Sequence, residues 1–199
     1  MQIAIHSDVS YLSVSQARCR ASGVHFLSKG PPNPKNTECF VPTFNGIILV
    51  VCRIMNHIMV SASEAEYDTI FGKSKIAVPI RTTLTEMGWK QGPTDILFEN
   101  STAVGIATKE FFQKKSKSMD MTFYWINYRI KQGQFRVFWR LGPENSGDYH
   151  SKHHPPEDHI VVQSKYLHVP NLSSLQGCVN LKVRVNPTKR NIKKSQLQR

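Results

Sequence analysis

MQIAIHSD, residues 1–8, alternates, with Ile3 and Ile5 on one face. A period of two marks a half-buried strand, here expected to end at Asp8. GVHFLS (23–28) reads as a second strand. GIILVVCRI (46–54) reads as a third, and its nearly unbroken apolar run predicts burial on both faces. Between them KGPPNPKNTECFVPTFNG (29–46), rich in Pro, Asn and Gly, reads as an exposed loop. Three strands before any helix predict hairpin-type antiparallel pairing.

Helical signals follow. SASEAEYDTIF (61–71) opens on good N-cap residues and carries its acids in the first turns, where the helix dipole favours them. IAVPIRTTLTEMG (76–88) predicts a separate helix with Pro79 near its start and Gly88 at its end. DILFEN (95–100) is a short strand, and a helical stretch starts at Ser101. SMDMTFYWINYRIKQG (118–133) predicts a helix capped by Ser118, with Met121, Trp125 and Tyr128 as its apolar stripe. FRVFWRL (135–141) alternates as a strand. PENSGDYHSKHHPP (143–156) holds one short final helix stopped by the prolines. Later strands alternate with helices, which implies parallel neighbours. The expected fold class is α/β: a five-stranded mixed sheet flanked by helices, over residues 1–156, with 157–199 a basic, partly disordered extension.

The chain has 199 residues, suited to one domain plus a tail, and a net charge of +12. Eight of these charges lie from Ile160 onward, on Lys165, Lys182, Arg184, Lys189, Arg190, Lys193, Lys194 and Arg199, with no acid among them. A chain this basic commonly meets nucleic acid. Cys19, Cys39, Cys52 and Cys178 form no C-x-x-C pair, so neither a zinc site nor a disulfide framework is indicated, and a reducing, intracellular setting is expected. The N-terminus lacks a signal-peptide pattern, and the longest apolar run is too short to span a bilayer, so no membrane is expected as a partner.

Asp8 ends the first strand, Glu64 or Glu66 sits on the first helix, Glu99 ends DILFE, and Asp148 opens the last helix. Acids at strand ends and helix starts are common in any chain, so pattern alone leaves open whether these four meet. If they meet, the chemistry is specific. Mg²⁺ takes carboxylate and water oxygens. A pair of such ions activates a water and stabilises the leaving oxygen of a phosphodiester.

HSDVSYLSVSQARCRASG, SASEAEY, FENSTAVGIA, KKSKSMDMTFYWI and GPENSGDYHSKHHP, in that order over residues 2–156, resemble the ribonuclease H domain of copia-type LTR retrotransposon polyproteins. The resemblance implies a ribonuclease H-like fold, two Mg²⁺ ions (with Mn²⁺ able to substitute), and cleavage of the RNA strand of RNA–DNA hybrids. It also implies a reverse transcriptase encoded upstream and an intracellular setting: cytoplasm, virus-like particle or nucleus. The family's carboxylates fall on Asp8, on Glu66 rather than Glu64, and on Asp148. At the third position the family has Asp-Asn-Ser where this chain has Glu99-Asn100-Ser101. The extra methylene adds roughly 1.5 Å of reach, and a misplacement near 1 Å can lower a rate by about 10²-fold.

Lys109, Lys114, Lys115 and Lys117 suit the phosphate backbone of a hybrid, or equally a solvated loop. Asn100 and Ser101 either touch the 2′-hydroxyl or minor groove, or cap the helix that starts there. Trp125 and Tyr128 read as core in preference to a base-stacking platform. Arg136 and Arg140 read as plain surface. His153, His154 and His159, beside Pro155 and Pro156, read as an exposed exit segment in preference to a metal site, and His150 or His153 as a proton carrier near Asp148. Asp120 favours its helix N-terminus. Two rivals stand beside the nuclease: a decayed remnant that still binds nucleic acid, and an integrase of related fold, whose zinc-binding His/Cys motif this sequence lacks.

Overall fold

The first strand becomes the centre of the sheet in the computed structural model, which describes residues 1–29, 46–100, 117–139 and 142–166. β1 (Gln2–Val14) pairs antiparallel with β2 (Arg18–Ser28), and β2 pairs antiparallel with β3 (Ile47–Ile54). Helix α1 (Ala62–Glu86) then carries the chain across, so that β4 (Thr94–Phe98) runs parallel to β1. After α2 (Lys117–Lys131), β5 (Phe135–Trp139) runs parallel to β4. The order β3-β2-β1-β4-β5, two antiparallel pairs followed by two parallel ones, is the ribonuclease H-like arrangement. Two short helices close the described chain, α3 (Asp148–Ser151) and α4 (Pro156–Tyr166). No helix among the described residues is long and apolar enough to cross a membrane.

One face of the sheet makes the main core. Ile3 and Ile5 of β1, Ile96 and Phe98 of β4, and Phe135 of β5 pack against Tyr67, Ile70 and Ala77 of α1 and Ile126 of α2. Ala4, Val24 and Phe26, of opposite parity, form a smaller cluster on the other face. Each fully buried Ile or Phe contributes about 1.5–3 kcal/mol.

Several sequence expectations need correction. β1 does not end at Asp8 but runs on to Val14 as half of a long hairpin. β3 is an edge strand, with Ile48, Leu49, Val50 and Ile54 exposed. Its β-branched residues favour a strand in either position. Whether it lies inside depends on where β4 joins the sheet, and β4 joins beside β1. The two helices expected around Pro79 are one helix of 25 residues. Proline removes one hydrogen bond at a cost of about 3 kcal/mol. Packing of Ile70 and Ala77 before it, and of Val78, Ile80 and Leu84 around it, offsets that loss.

The apolar stripe of α2 also turns differently. Ile126 and Asn127 are buried and Phe123, Trp125 and Ile130 pack on the core, while Met121, Tyr124 and Tyr128 face outward, Met121 with 82% of its surface exposed. Trp125 meets Phe71 edge-to-face at 5.3 Å, as expected of a core residue. Aromatics stand on every flank of FYWINY, so spacing alone does not choose the face. The prolines do not end the helical structure: Pro156 opens α4, with Glu157 and Asp158 in its first turn. The loop expected at 29–46, apart from its ends, and the helix expected from Ser101 lie outside the described residues, as does Arg140. Arg136 is no idle surface charge. It ion-pairs with Asp95 across β5 and β4 at 2.6 Å.

α1 is fastened to the sheet by a buried lysine. Lys73 is 2% exposed and donates Nζ–H to the Val51 carbonyl at 2.8 Å. Its stem passes over Gly23, where an added Cβ would lie 2.5 Å from Lys73 Cδ. Gly23→Ala is therefore expected to destabilise the protein by about 1–3 kcal/mol through overpacking. A urea unfolding midpoint unchanged from the parent would contradict this packing.

Candidate metal centre between β1 and the end of β4

The parallel register of β1 and β4 sets the site. Ala4, Ile5 and His6 pair with Asp95, Ile96 and Leu97, and two residues further on come Asp8 and Glu99. β4 stops at Phe98, which leaves a crevice at its carboxyl end beside Asp8, where β1 runs on without a parallel neighbour. The segment after β5 supplies the third acid. Asn145 donates its amide to the Ser7 carbonyl at 2.8 Å and accepts from the Gly147 N–H at 3.0 Å, while His6 Nδ1 accepts from the Ser146 N–H at 3.0 Å. Gly147 lies so close to β1 that an added Cβ would meet the Asp8 nitrogen at 3.1 Å. These contacts bring Asp148, at the start of α3, to the crevice.

One carboxylate oxygen each from Asp8, Glu99 and Asp148 lies within 4.8 Å of the others, a group able to hold a metal ion. Glu66 stands beside this group and not within it. It projects from the second turn of α1, is 7% exposed, and couples electrostatically to both Asp8 and Glu99. Glu64 has a different task. Ser61 Oγ accepts from the Glu64 N–H at 3.1 Å, and Glu64 Oε2 accepts from the Val60 N–H at 2.8 Å, in the manner of a capping box.

The electrostatics follow from crowding. Burial raises Asp8, with Asp148 adding to the shift, while a hydrogen bond from Ser151 Oγ and the charge of Lys152 oppose it. Burial also raises Glu99, and Asp8 and Asp148 push the same way. Glu66 is pushed up to about 9, by burial first and then by Asp8 and Glu99. Two buried acid oxygens, Glu66 Oε2 and Glu99 Oε1, have no hydrogen-bond donor among the described residues. Carboxylate oxygens gathered in one crevice, two of them buried without such a donor, are a set suited to a hard divalent cation. Glu99 is accommodated despite its length, since Gly142 faces it and a Cβ there would meet Glu99 Oε1 at 3.1 Å.

Of the other residues singled out in the sequence, Ser101, Lys109, Lys114 and Lys115 lie outside the described residues, as does the side chain of Lys117, the first residue of α2. Asn100 points its amide at Ser63 Oγ, 3.4 Å away, at the start of α1. No histidine joins the metal-capable group among the described residues. His154 stacks on Tyr149, and His159 Nδ1 lies 2.5 Å from the Tyr149 hydroxyl, so these imidazoles form an aromatic cluster between α3 and α4. Sequence reasoning missed Asn145, Ser151 and Lys152. Lys152 stands four residues after Asp148, the spacing at which opposite charges meet, so a signal for it was present. Ser151 carried none, because its partner is 143 residues away.

No protein-family profile and no curated protein matches this chain. Among solved structures, it is similar to the N-terminal RNase H domain of a Mycobacterium tuberculosis protein, solved as a fusion with maltose-binding protein, at TM-score 0.48 and 11% identity, covering 74% of this chain and 92% of that one. It is also similar to LC11-RNase H1, isolated from compost, at TM-score 0.45 and 12% identity over 82% of this chain and 91% of that one. RNase H1 of the archaeon Halobacterium salinarum follows at TM-score 0.43 and 10% identity, over 76% and 95%. The assignment of the fold rests on the strand order and pairing senses described above.

Glu66 makes the metal-free protein sensitive to pH. Its folded pKa of about 9 lies above the ordinary 4.5, so the native state binds the extra proton between these values. Stability is full below about pH 4.5 and falls as pH rises through about 9. Glu66→Gln is expected to lose this slope and to exceed the parent in stability at pH 8 in chelator. Parallel pH–stability curves for the two proteins would contradict the assignment.

Proposed function

We propose that this chain is a divalent-metal-dependent endonuclease that hydrolyses the RNA strand of RNA–DNA hybrids, derived from a copia-type retrotransposon polyprotein. The observation that carries the reading is the meeting of Asp8, Glu99 and Asp148 within 4.8 Å, from three elements far apart in sequence. Four of the five sequence blocks that resemble the copia-type domain carry the acids of this crevice, Asp8, Glu66, Glu99 and Asp148, and the basic composition suits a polyanionic substrate.

Asp8, Glu66, Glu99 and Asp148 would hold two Mg²⁺ ions, with Mn²⁺ able to substitute. When bound, such ions activate a water and stabilise the leaving oxygen of a phosphodiester. The chain's own groups prepare the site. Ser151 fixes the Asp8 carboxylate, Asn145 holds the Asp148 segment to β1, and Glu66, which burial keeps protonated, would lose its carboxyl proton when the site is loaded. Lys109, Lys114, Lys115, Lys117, Asn100 and Ser101 are assigned to the sugar-phosphate backbone of the hybrid. Residues 1–156 would make the catalytic domain and 157–199 a basic extension that adds sequence-independent, salt-sensitive affinity. The protein would work inside the cell, in the cytoplasm, a virus-like particle or the nucleus, beside a reverse transcriptase encoded upstream.

A second reading, a catalytically decayed remnant that only binds nucleic acid, is favoured by Glu99 in place of Asp. A labelled RNA–DNA hybrid with Mg²⁺ separates the two. The nuclease reading expects products ending in 5′-phosphate and 3′-hydroxyl, faster cleavage by Glu99→Asp, and none by Asp8→Asn. Salt-sensitive binding without cutting, even by Glu99→Asp, supports the remnant. Equal rates for Asp8→Asn and Glu99→Asp would remove the carboxylates from the chemistry.

A further inference from the structure

Lys152 is the first residue after α3, and its backbone N–H donates to the Asp148 carbonyl at 3.3 Å. That bond turns the side chain back over the helix, where Nζ ion-pairs with Asp148 Oδ1. Its reach goes further than this partner. Asp8, Glu66 and Glu99 all feel the same ammonium, and among the described residues it is the one cation acting on all three. Even with Glu66 protonated, the carboxylates of Asp8, Glu99 and Asp148 repel, and without a cation the unloaded site opposes its own assembly. The ammonium answers only part of that repulsion, since Glu66 Oε2 and Glu99 Oε1 stay buried with no donor among the described residues. The Lys152 side chain remains 44% exposed, so it can leave for solvent by rotating its own bonds.

We infer that Lys152 is the resident counter-cation of the unloaded carboxylate cluster, and that a divalent cation binds by displacing it. The inference rests on reading the cluster as a metal centre. It adds that the divalent affinity is set by competition with a tethered charge. Lysine suits this task, being a compact ammonium on a flexible stem, able to sit as a point charge and withdraw. The ion pair holds the acids together before loading and weakens the first ion that arrives. Lys152 thereby serves as a positioning residue for Asp148, not as a group that touches substrate.

Calorimetric titration of the full chain with Ca²⁺ and with Mg²⁺, without nucleic acid, tests this, alongside thermal unfolding in chelator. Lys152→Gln is expected to lower the divalent Kd roughly tenfold, the scale of an ordinary coupling between two ligands. It should also lower the Tm in chelator, with the difference closing at saturating Ca²⁺. Lys152→Arg keeps the charge and should stay near the parent. Lys90→Gln, an exposed lysine at the other end of α1, makes the same change in net charge and should leave the Kd unchanged. An unchanged or weaker Kd for Lys152→Gln, or an equal gain for Lys90→Gln, overturns the inference. The two readings fail separately: tighter Ca²⁺ binding by Lys152→Gln with no hybrid cleavage by any variant sinks the nuclease and leaves the counter-cation. Intact cleavage with an unchanged Kd does the reverse.

Discussion

Like charges gathered beside the middle of β1 and the end of β4 are the constraint around which this molecule is arranged. Asp8 is 2% exposed in the middle of the central strand, where a carboxylate has little water to solvate it. Burying an unpaired charge is costly, and burying several together is worse. The chain meets that cost with local devices: Ser151 on Asp8, Lys152 on Asp148, and a raised Glu66 pKa that keeps one acid neutral at ordinary pH. Lys152 and the protonated Glu66 lower the charge of the unloaded site, and Ser151 solvates part of what remains. A fold under selection for stability alone would more simply place apolar residues there.

The rest of the architecture presents those acids. β1 must be central so that β4 can lie parallel to it and stop one residue before Glu99. α1 holds Glu66 over the same crevice in its second turn, while its later turns, unbroken through Pro79, pack on the sheet. The buried Lys73 ties α1 to β3 and keeps that helix in register with the sheet. The segment after β5 is stitched to β1 through Ser7 and His6, the two residues before Asp8. The strand that carries the first acid is thus also the template for positioning the third.

The existence of the strands and their succession along the chain were legible in the sequence because period-two alternation and turn residues are local signals. The resemblance of ordered sequence blocks pointed to the same four acids. Properties set by distant neighbours were not legible. The apolar run of β3 suits an interior strand, and only the placement of β4 makes it an edge. Met121 and Tyr128 share a helical stripe with Trp125, yet they face outward because Phe123, Ile126 and Ile130 give α2 a second apolar flank. Pro79 is a strong local stop signal outweighed by long-range packing. The pairing of Ser151 with Asp8 left no trace in local pattern, whereas the i, i+4 relation of Lys152 to Asp148 stood in the sequence unused.

The central claim is that these carboxylates form one cation site. Anomalous diffraction from crystals soaked in Mn²⁺ tests it most directly, because it locates the ion without relying on turnover. The account predicts an anomalous peak bounded by oxygens of Asp8, Glu99 and Asp148, with Glu66 at its edge, and loss of that peak in Asp8→Asn. Mn²⁺ bound elsewhere, with the four carboxylates bare at saturating ion, would contradict it.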